Sequence, residues 1–218
     1  MRCLVTAGPT YEPLDKVRRL TNFSTGRLGS ELAAFLTDKG HETSLLLGEQ
    51  ATYAAGRTAD RVETFTTTAN LRELLRGWMD RKVDAIFHAA AVSDFAFGKV
   101  WLRSPEGELT EVNSGKFSTR QGTLLAELVP APKIIGELRD WFPKARLVGW
   151  KFEVEGDREG VLGLAEKQLV ECRTDACVAN GPGYGEGFGL VRSGGKQQHL
   201  PNKNALFDEL ERFLRSEQ

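Results

Sequence analysis

Asn22-Phe23-Ser24-Thr25-Gly26-Arg27-Leu28-Gly29 is the stretch of this chain best equipped for chemistry. It stands at the mouth of an apolar-periodic helix, where unpaired backbone N–H groups and the helix dipole favour an anion. Gly8, Asn22, Ser24, Thr25, Gly26 and Arg27 crowd that mouth. Asn22 can orient a carbonyl or phosphate oxygen, and each polar residue can equally serve as a helix cap. Gly8 follows the β-like run Cys3-Leu4-Val5-Thr6-Ala7, and a long loop separates it from Gly26. The glycines therefore do not form one compact GxGxxG dinucleotide fingerprint.

Four more positions carry polar or aromatic groups suited to a ligand. Ala89-Ala90-Ala91-Val92-Ser93-Asp94 sets small residues, which let a ligand approach the backbone, before a carboxylate. Asp94 can accept hydrogen bonds from a base or sugar, or cap a turn. Lys116, in Gly115-Lys116-Phe117-Ser118, carries a charge suited to phosphate oxygens or an acyl-transfer transition state; a solvated surface role is the alternative. Phe152, in Trp150-Lys151-Phe152-Glu153, can stack on a nucleobase or fill the core. Asn180 and Gly183 can line the same edge or simply build a turn. The three histidines form no zinc motif, and His41 and His88 read as structural. No metal-ligand set emerges, so magnesium enters only with a nucleoside triphosphate.

The elements that must position these groups alternate. Strands are expected at 2–6, 43–47, 62–66, 85–88, 146–152 and 176–179. Helices are expected from Thr25-Gly26 through 30–39, and at 70–79, 134–141, 158–171 and 204–214. A hairpin pairs 188–191 with 197–200 around Ser193-Gly194-Gly195. Such alternation predicts an α/β fold, a mostly parallel sheet with helices on both sides. The loops leaving the first, fourth and 146–152 strands then meet at the carboxyl edge, where open α/β sheets bind ligands. The pattern pauses over 95–121, an inserted hairpin or loop arm. Within it 101–111 alternates around Pro105-Glu106-Gly107, and the arm can act as a lid or a dimer contact. Residues 1–218 read as one domain, with no internal repeat.

Composition narrows the partners. The 29 basic and 30 acidic side chains leave a net charge of −1, so no global polycationic character points to nucleic acid. No apolar run reaches the roughly 18 residues of a membrane span, and the start lacks a signal-peptide pattern. Cys3, Cys172 and Cys177 lack paired spacing; Cys3 reads as an inert core thiol, and the cytoplasm is the expected compartment.

Together these stretches, in order, resemble the phosphopantothenate–cysteine ligase (phosphopantothenoylcysteine synthetase) family. The resemblance runs through Thr6-Ala7-Gly8-Pro9-Thr10-Tyr11-Glu12-Pro13-Leu14-Asp15, Val17-Arg18, the 22–29 and 89–94 stretches, Lys116-Phe117-Ser118, Val148-Gly149-Trp150-Lys151-Phe152-Glu153 and Val178-Ala179-Asn180. It implies a Rossmann-like three-layer fold and a homodimer. It also implies ligation of 4′-phosphopantothenate to L-cysteine through an acyl-nucleotidylate, with magnesium and ATP or CTP as cosubstrate and no flavin. By the same resemblance Asn22 and Lys116 are catalytic. Gly8, Ser24, Thr25, Gly26, Ala90, Asp94, Lys116 and Phe152 bind nucleotide; Asn22, Arg27 and Asn180 bind substrate. Lys116-Phe117-Ser118-Thr119 lacks the lysine-rich continuation common in CTP-using bacterial members and looks more like the ATP-using eukaryotic form. An NAD(P)-dependent oxidoreductase and a noncatalytic nucleotide-binding protein are the alternatives.

Overall fold

Apolar runs buried on both faces dictate the centre of the molecule. In the computed structural model, which describes residues 1–55, 58–113, 115–118 and 122–216, the chain begins with β1 (Arg2–Ala7), β2 (Tyr11–Pro13), β3 (Arg19–Thr21) and α1 (Arg27–Asp38). Next come β4 (Glu42–Gly48), β5 (Arg61–Phe65), α2 (Thr68–Arg76), β6 (Ala85–His88), β7 (Phe95–Arg103), β8 (Leu109–Glu111) and β9 (Thr123–Pro130). The rest is α3 (Ile134–Trp141), β10 (Arg146–Phe152), α4 (Arg158–Cys172), β11 (Ala176–Asn180), β12 (Phe188–Arg192), β13 (Lys196–Leu200) and α5 (Lys203–Arg215).

The main sheet runs β13-β12-β11-β10-β6-β1-β4-β5. Its six strands from β5 to β11 are parallel, and β12 and β13 turn antiparallel. Counting only the parallel strands, the order is 3-2-1-4-5-6, the Rossmann arrangement, with its topological switch between β1 and β6. Leu4, Val5, Leu45, Leu46, Ile86, Phe87, Leu147 and Val178 are fully or almost fully buried. That is the near-continuous burial a sheet covered on both faces requires.

The alternation of side chains sorts the helices into two layers. Leu32 and Leu36 of α1 and Leu206, Leu210 and Leu214 of α5 pack on Val5, Leu45 and Val178. Leu71 and Leu75 of α2 and Ile134 and Leu138 of α3 pack on Leu4, Ile86 and Leu147 from the other side. Burying each such leucine is worth about 1.5–3 kcal/mol. Helix α1 stops where Gly40, at φ +80°, turns left-handed. The Gly40 N–H then reaches the Thr37 carbonyl, and the His41 N–H reaches that of Leu36.

Two regions depart from the expected pattern. The long loop after β1 folds as a small antiparallel hairpin, β2 with β3. The 95–121 arm is longer and more regular than its composition suggests: β7 pairs with both β8 and β9 in a separate three-stranded sheet that extends to Pro130. The expected hairpin at 101–111 is present, with the Gly107 N–H closing its turn on the Ser104 carbonyl. A register shift between Phe97 and Val100 interrupts the alternation that would announce β7. Thr119, Arg120 and Gln121, at the end of the expected arm, lie outside the described residues.

Candidate functional site

The floor of the carboxyl edge is backbone packed against backbone. Gly8 (φ +82°) and Gly26 (φ +77°) both adopt the left-handed conformation that a side chain disfavours. A Cβ on either would stand 2.9 Å from Ala51 Cβ, and one on Gly29 would stand 2.6 Å from Ala7 Cβ. Gly8 and Gly26 thus allow turns that a side chain would strain, and Gly29 lets α1 pack closely on β1. Here the β2–β3 hairpin is inserted between the first glycine and the other two.

The loops beyond β1 and β6 are zipped together. Thr10 N–H donates to the Ala91 carbonyl at 3.1 Å, and Ala91 N–H to the Gly8 carbonyl at 3.0 Å. Thr6 Oγ1 shares a 2.9 Å hydrogen bond with His88 Nδ1 and accepts the Ala90 N–H at 3.2 Å. Burial pushes the His88 imidazole down to about 4, so it stays neutral and braces the loop. Ser93 is buried against Thr10. Beyond β10 and β11 a second zip joins Glu153 N–H to the Asn180 carbonyl and Gly183 N–H to the Glu153 carbonyl, each at 3.0 Å. All four loops share one edge, because β1, β6, β10 and β11 are neighbours in the sheet.

Asn22 leaves β3 exposed, with Nδ2 donating to the Ala91 carbonyl at 3.1 Å. One amide N–H thus anchors Asn22 to the β6 loop. Ser24 Oγ accepts the Gly26 N–H and Thr25 Oγ1 the Arg27 N–H, so both hydroxyls serve the turn into α1, whose N-cap is Gly26. Arg27 Nε pairs with Glu31 at 3.1 Å, and its guanidinium lies over the Tyr53 ring. The Glu31 carboxylate and Tyr53 hold that guanidinium firmly charged.

Asp94 is exposed where the chain enters β7, its main-chain carbonyl accepting the Ala131 N–H. Among the described residues its carboxylate caps no turn. Lys116 is exposed in a segment that docks on the β2–β3 hairpin. Phe152 ends β10 at 61% exposure, in register with Asn180. Trp150, two residues earlier on the same face, is half-buried, and its Nε1 is a buried polar atom without a partner among the described residues; so is Asn180 Oδ1. Among the described residues, two adjacent strands thus carry an unused donor and an unused acceptor two register positions apart near their carboxyl ends. The sequence offers the whole Trp150-Lys151-Phe152-Glu153 stretch as a ligand edge and singles out Phe152 within it. The alternation that gives both residues one face was the available signal.

Other groups fall out of the site. Cys3 and Cys177 are buried, and burial drives both thiols up to about 12, far from a nucleophilic thiolate. His41 is buried at the end of α1, 3.5 Å from Glu211. Among the described residues no group of three His, Cys, Asp or Glu side chains could hold a metal, and no helix is long and apolar enough to cross a membrane. A cavity of about 480 Å³ lined by Met79, Arg81, Trp141 and Arg146 opens at the opposite, amino-terminal edge, away from every sequence-predicted site residue.

Comparison with known proteins agrees with this geometry. The family model described as the DNA/pantothenate metabolism flavoprotein C-terminal domain matches residues 1–203. The coenzyme A biosynthesis bifunctional protein CoaBC of Thermococcus kodakarensis is 31% identical over 179 residues, which cover 82% of this chain and 41% of that protein. Across four curated relatives, three CoaBC proteins and one cysteine/cysteine sulfinic acid decarboxylase, the matched region is 40–48% of their length, so the chain spans under half of each. The crystal structure of the DNA/pantothenate metabolism flavoprotein from Streptococcus pneumoniae superposes with a TM-score of 0.81 at 23% identity, covering 99% of this chain and 98% of that one. The C-terminal domain of a CoaBC protein gives 0.73 at 25% identity, covering 98% and 93%.

Proposed function

The chain belongs to the DNA/pantothenate metabolism flavoprotein C-terminal domain family, and on that premise we propose that it joins 4′-phosphopantothenate to L-cysteine at the expense of a nucleoside triphosphate. The observation that carries this reading is the meeting of Asn22 with the 89–94 loop, through the Asn22–Ala91 hydrogen bond, at the switch between β1 and β6. A polar amide beside a glycine-floored helix mouth suits an acyl phosphate ester better than a nicotinamide.

In the reaction, a carboxylate oxygen of 4′-phosphopantothenate attacks the α-phosphorus of ATP or CTP, and pyrophosphate leaves. The cysteine amine then attacks the acyl carbon, loses a proton and displaces the nucleoside monophosphate. Magnesium arrives with the nucleotide as part of the substrate, and no flavin takes part. Lys116 offsets charge on the phosphates in the first step. Asn22 holds the activated acyl group for the second through its remaining amide N–H and its carbonyl. Backbone groups at Gly8, Gly26 and Ala90, with Ser24, Thr25 and Asp94, receive the nucleotide. Phe152 borders the base, Trp150 Nε1 offers it a donor, and Arg27 and Asn180 meet the acyl substrate. The nucleophile belongs to the substrate, which fits the inert thiols.

The working unit is a homodimer of one-domain chains, acting in the cytoplasm without nucleic acid or membrane. Fully exposed Phe23, exposed Val17 and Leu20 on the hairpin, and Leu109 and Leu128 on the arm offer apolar area for the second copy. Purified protein given 4′-phosphopantothenate, cysteine, magnesium and either ATP or CTP should form the amide and pyrophosphate in equal amounts. Folded protein that forms neither with either nucleotide would refute this function.

A further inference from the structure

We propose that Asp15 is a positioning residue for Lys116: its carboxylate docks the lysine-bearing segment onto the tip of the β2–β3 hairpin, whose outgoing strand leads directly into Asn22. The role rests on the ligase reading above, whereas the docking itself does not.

The hairpin tip closes with Leu14 and Asp15 N–H groups both donating to the Arg18 carbonyl. The Asp15 side chain has no exposed surface. Its Oδ1 accepts the Val17 N–H at 2.9 Å and the Arg18 N–H at 2.7 Å. Its Oδ2 accepts Arg18 Nη2 at 2.7 Å, Arg18 Nε at 3.1 Å and, from across the molecule, the Phe117 N–H at 3.2 Å. Arg18 Nη2 also donates to the Phe117 carbonyl at 2.6 Å, and Lys16 N–H to the Gly115 carbonyl at 3.0 Å.

Lys116 is therefore gripped on both sides, at Gly115 before it and Phe117 after it, while its own side chain stays exposed. Phe117 is buried and adds an apolar anchor. Burial alone would raise the Asp15 carboxyl, but the N–H groups of Val17, Phe117 and Arg18 outweigh it and hold the group at about 2. Asp15 is thus ionised throughout the neutral range. The hairpin's other end is equally fixed: Thr21 Oγ1 donates to the Thr10 carbonyl, and buried Glu12 accepts the Thr68 N–H at the start of α2. A single braced hairpin carries Asn22 at its exit and holds Lys116 at its tip, which sets the two groups relative to each other.

Asp15→Asn keeps the shape but loses the charge and turns an amide toward a set of donors, so the five bonds cannot all form. Hydrogen exchange of the amides in 115–118, measured without substrate, should speed up by about tenfold or more in this variant, with β1 and α1 unchanged. Nucleotide-dependent pyrophosphate release should lose on the order of 100-fold in kcat, with KM for 4′-phosphopantothenate unaltered, because a misplacement of about 1 Å is enough. Adding Asp15→Asn to Lys116→Ala should cost nothing further, since both act through one group. Unchanged exchange at 115–118, or losses that multiply in the double variant, would overturn the proposal. Should Asp15→Asn fail to fold, Asp15→Glu keeps the charge on a longer arm. Faster exchange with slower release supports the role, and neither change overturns it. Protected 115–118 amides in a wild-type protein that makes no product would refute the ligase reading while leaving the docking in place.

Discussion

Beneath the helix mouth, Gly8, Gly26, Gly29 and Gly48 press main chain against main chain, and a Cβ on Gly48 would lie 2.4 Å from the Pro9 carbonyl oxygen. Around the same edge, the β2–β3 hairpin and the Lys116 segment are largely exposed and are joined by hydrogen bonds from Asp15, Lys16 and Arg18 to Gly115 and Phe117. The floor tolerates no added atom. The rim depends on a small set of polar contacts around Asp15 and Arg18 that a conservative substitution can loosen. The proposed reaction, in which phosphates are held while an acyl carbon is attacked, would use both: fixed backbone dipoles below and adjustable charged side chains above.

Substitutions separate the two. Lys116→Ala, on the rim, should cost about 2–4 kcal/mol of transition-state stabilisation for nucleotide-dependent activation, because in the proposed mechanism it removes the charge that offsets the phosphates. Thermal unfolding should barely change, since truncating an exposed side chain leaves no core cavity. Normal pyrophosphate formation by this variant would move Lys116 out of the machinery.

His88 probes the floor through pH. Burial lowers its imidazole from 6.5 to about 4, so the folded protein keeps it neutral while the unfolded chain protonates below pH 6.5. Its contribution is complete above pH 6.5 and erodes as the pH falls toward 4, by about 3 kcal/mol. His88→Asn can retain the Thr6 bond without titrating. Denaturant unfolding at several pH values should show a flatter acid limb for the variant, and an identical limb would remove His88 from that role.

Gly29→Ala tests the floor's packing. Alanine gains about 1 kcal/mol of helix preference, but its Cβ meets Ala7 Cβ at 2.6 Å, and overpacking costs about 1–3 kcal/mol. A net loss in stability with a raised KM for nucleotide is expected; a more stable protein would contradict the packing account. At the small end, Phe23→Ser should shift stability by less than about 0.5 kcal/mol while weakening self-association in sedimentation. Unchanged association would remove Phe23 from the proposed dimer surface.

The floor was also the legible part. Cys3-Leu4-Val5-Thr6-Ala7 and the corresponding runs of β4, β6, β10 and β11 announce themselves because strands covered on both faces must be continuously apolar. The hairpin was hidden for the opposite reason. Its strands are three residues each, β3 is exposed throughout, and its bonds reach to Thr10, Thr68 and Phe117, partners that no local pattern reveals. In β9, Thr123–Pro130, exposure does not alternate cleanly, so period-2 reading had nothing to follow. Asn22, Asp94 and Lys116 could be named from residue type and resemblance, but not the bonds that hold Asn22 on Ala91 and Lys116 on the hairpin tip.

The most direct test of the central claim, that floor and rim together activate a carboxylate on a nucleotide, is exchange of labelled pyrophosphate into ATP or CTP without cysteine. The account predicts exchange that requires 4′-phosphopantothenate, persists when the amine is withheld and is largely lost in Lys116→Ala. Robust ligation on adding cysteine, with no phosphopantothenate-dependent exchange before it, would contradict the acyl-nucleotidylate and the division of labour between the two regions.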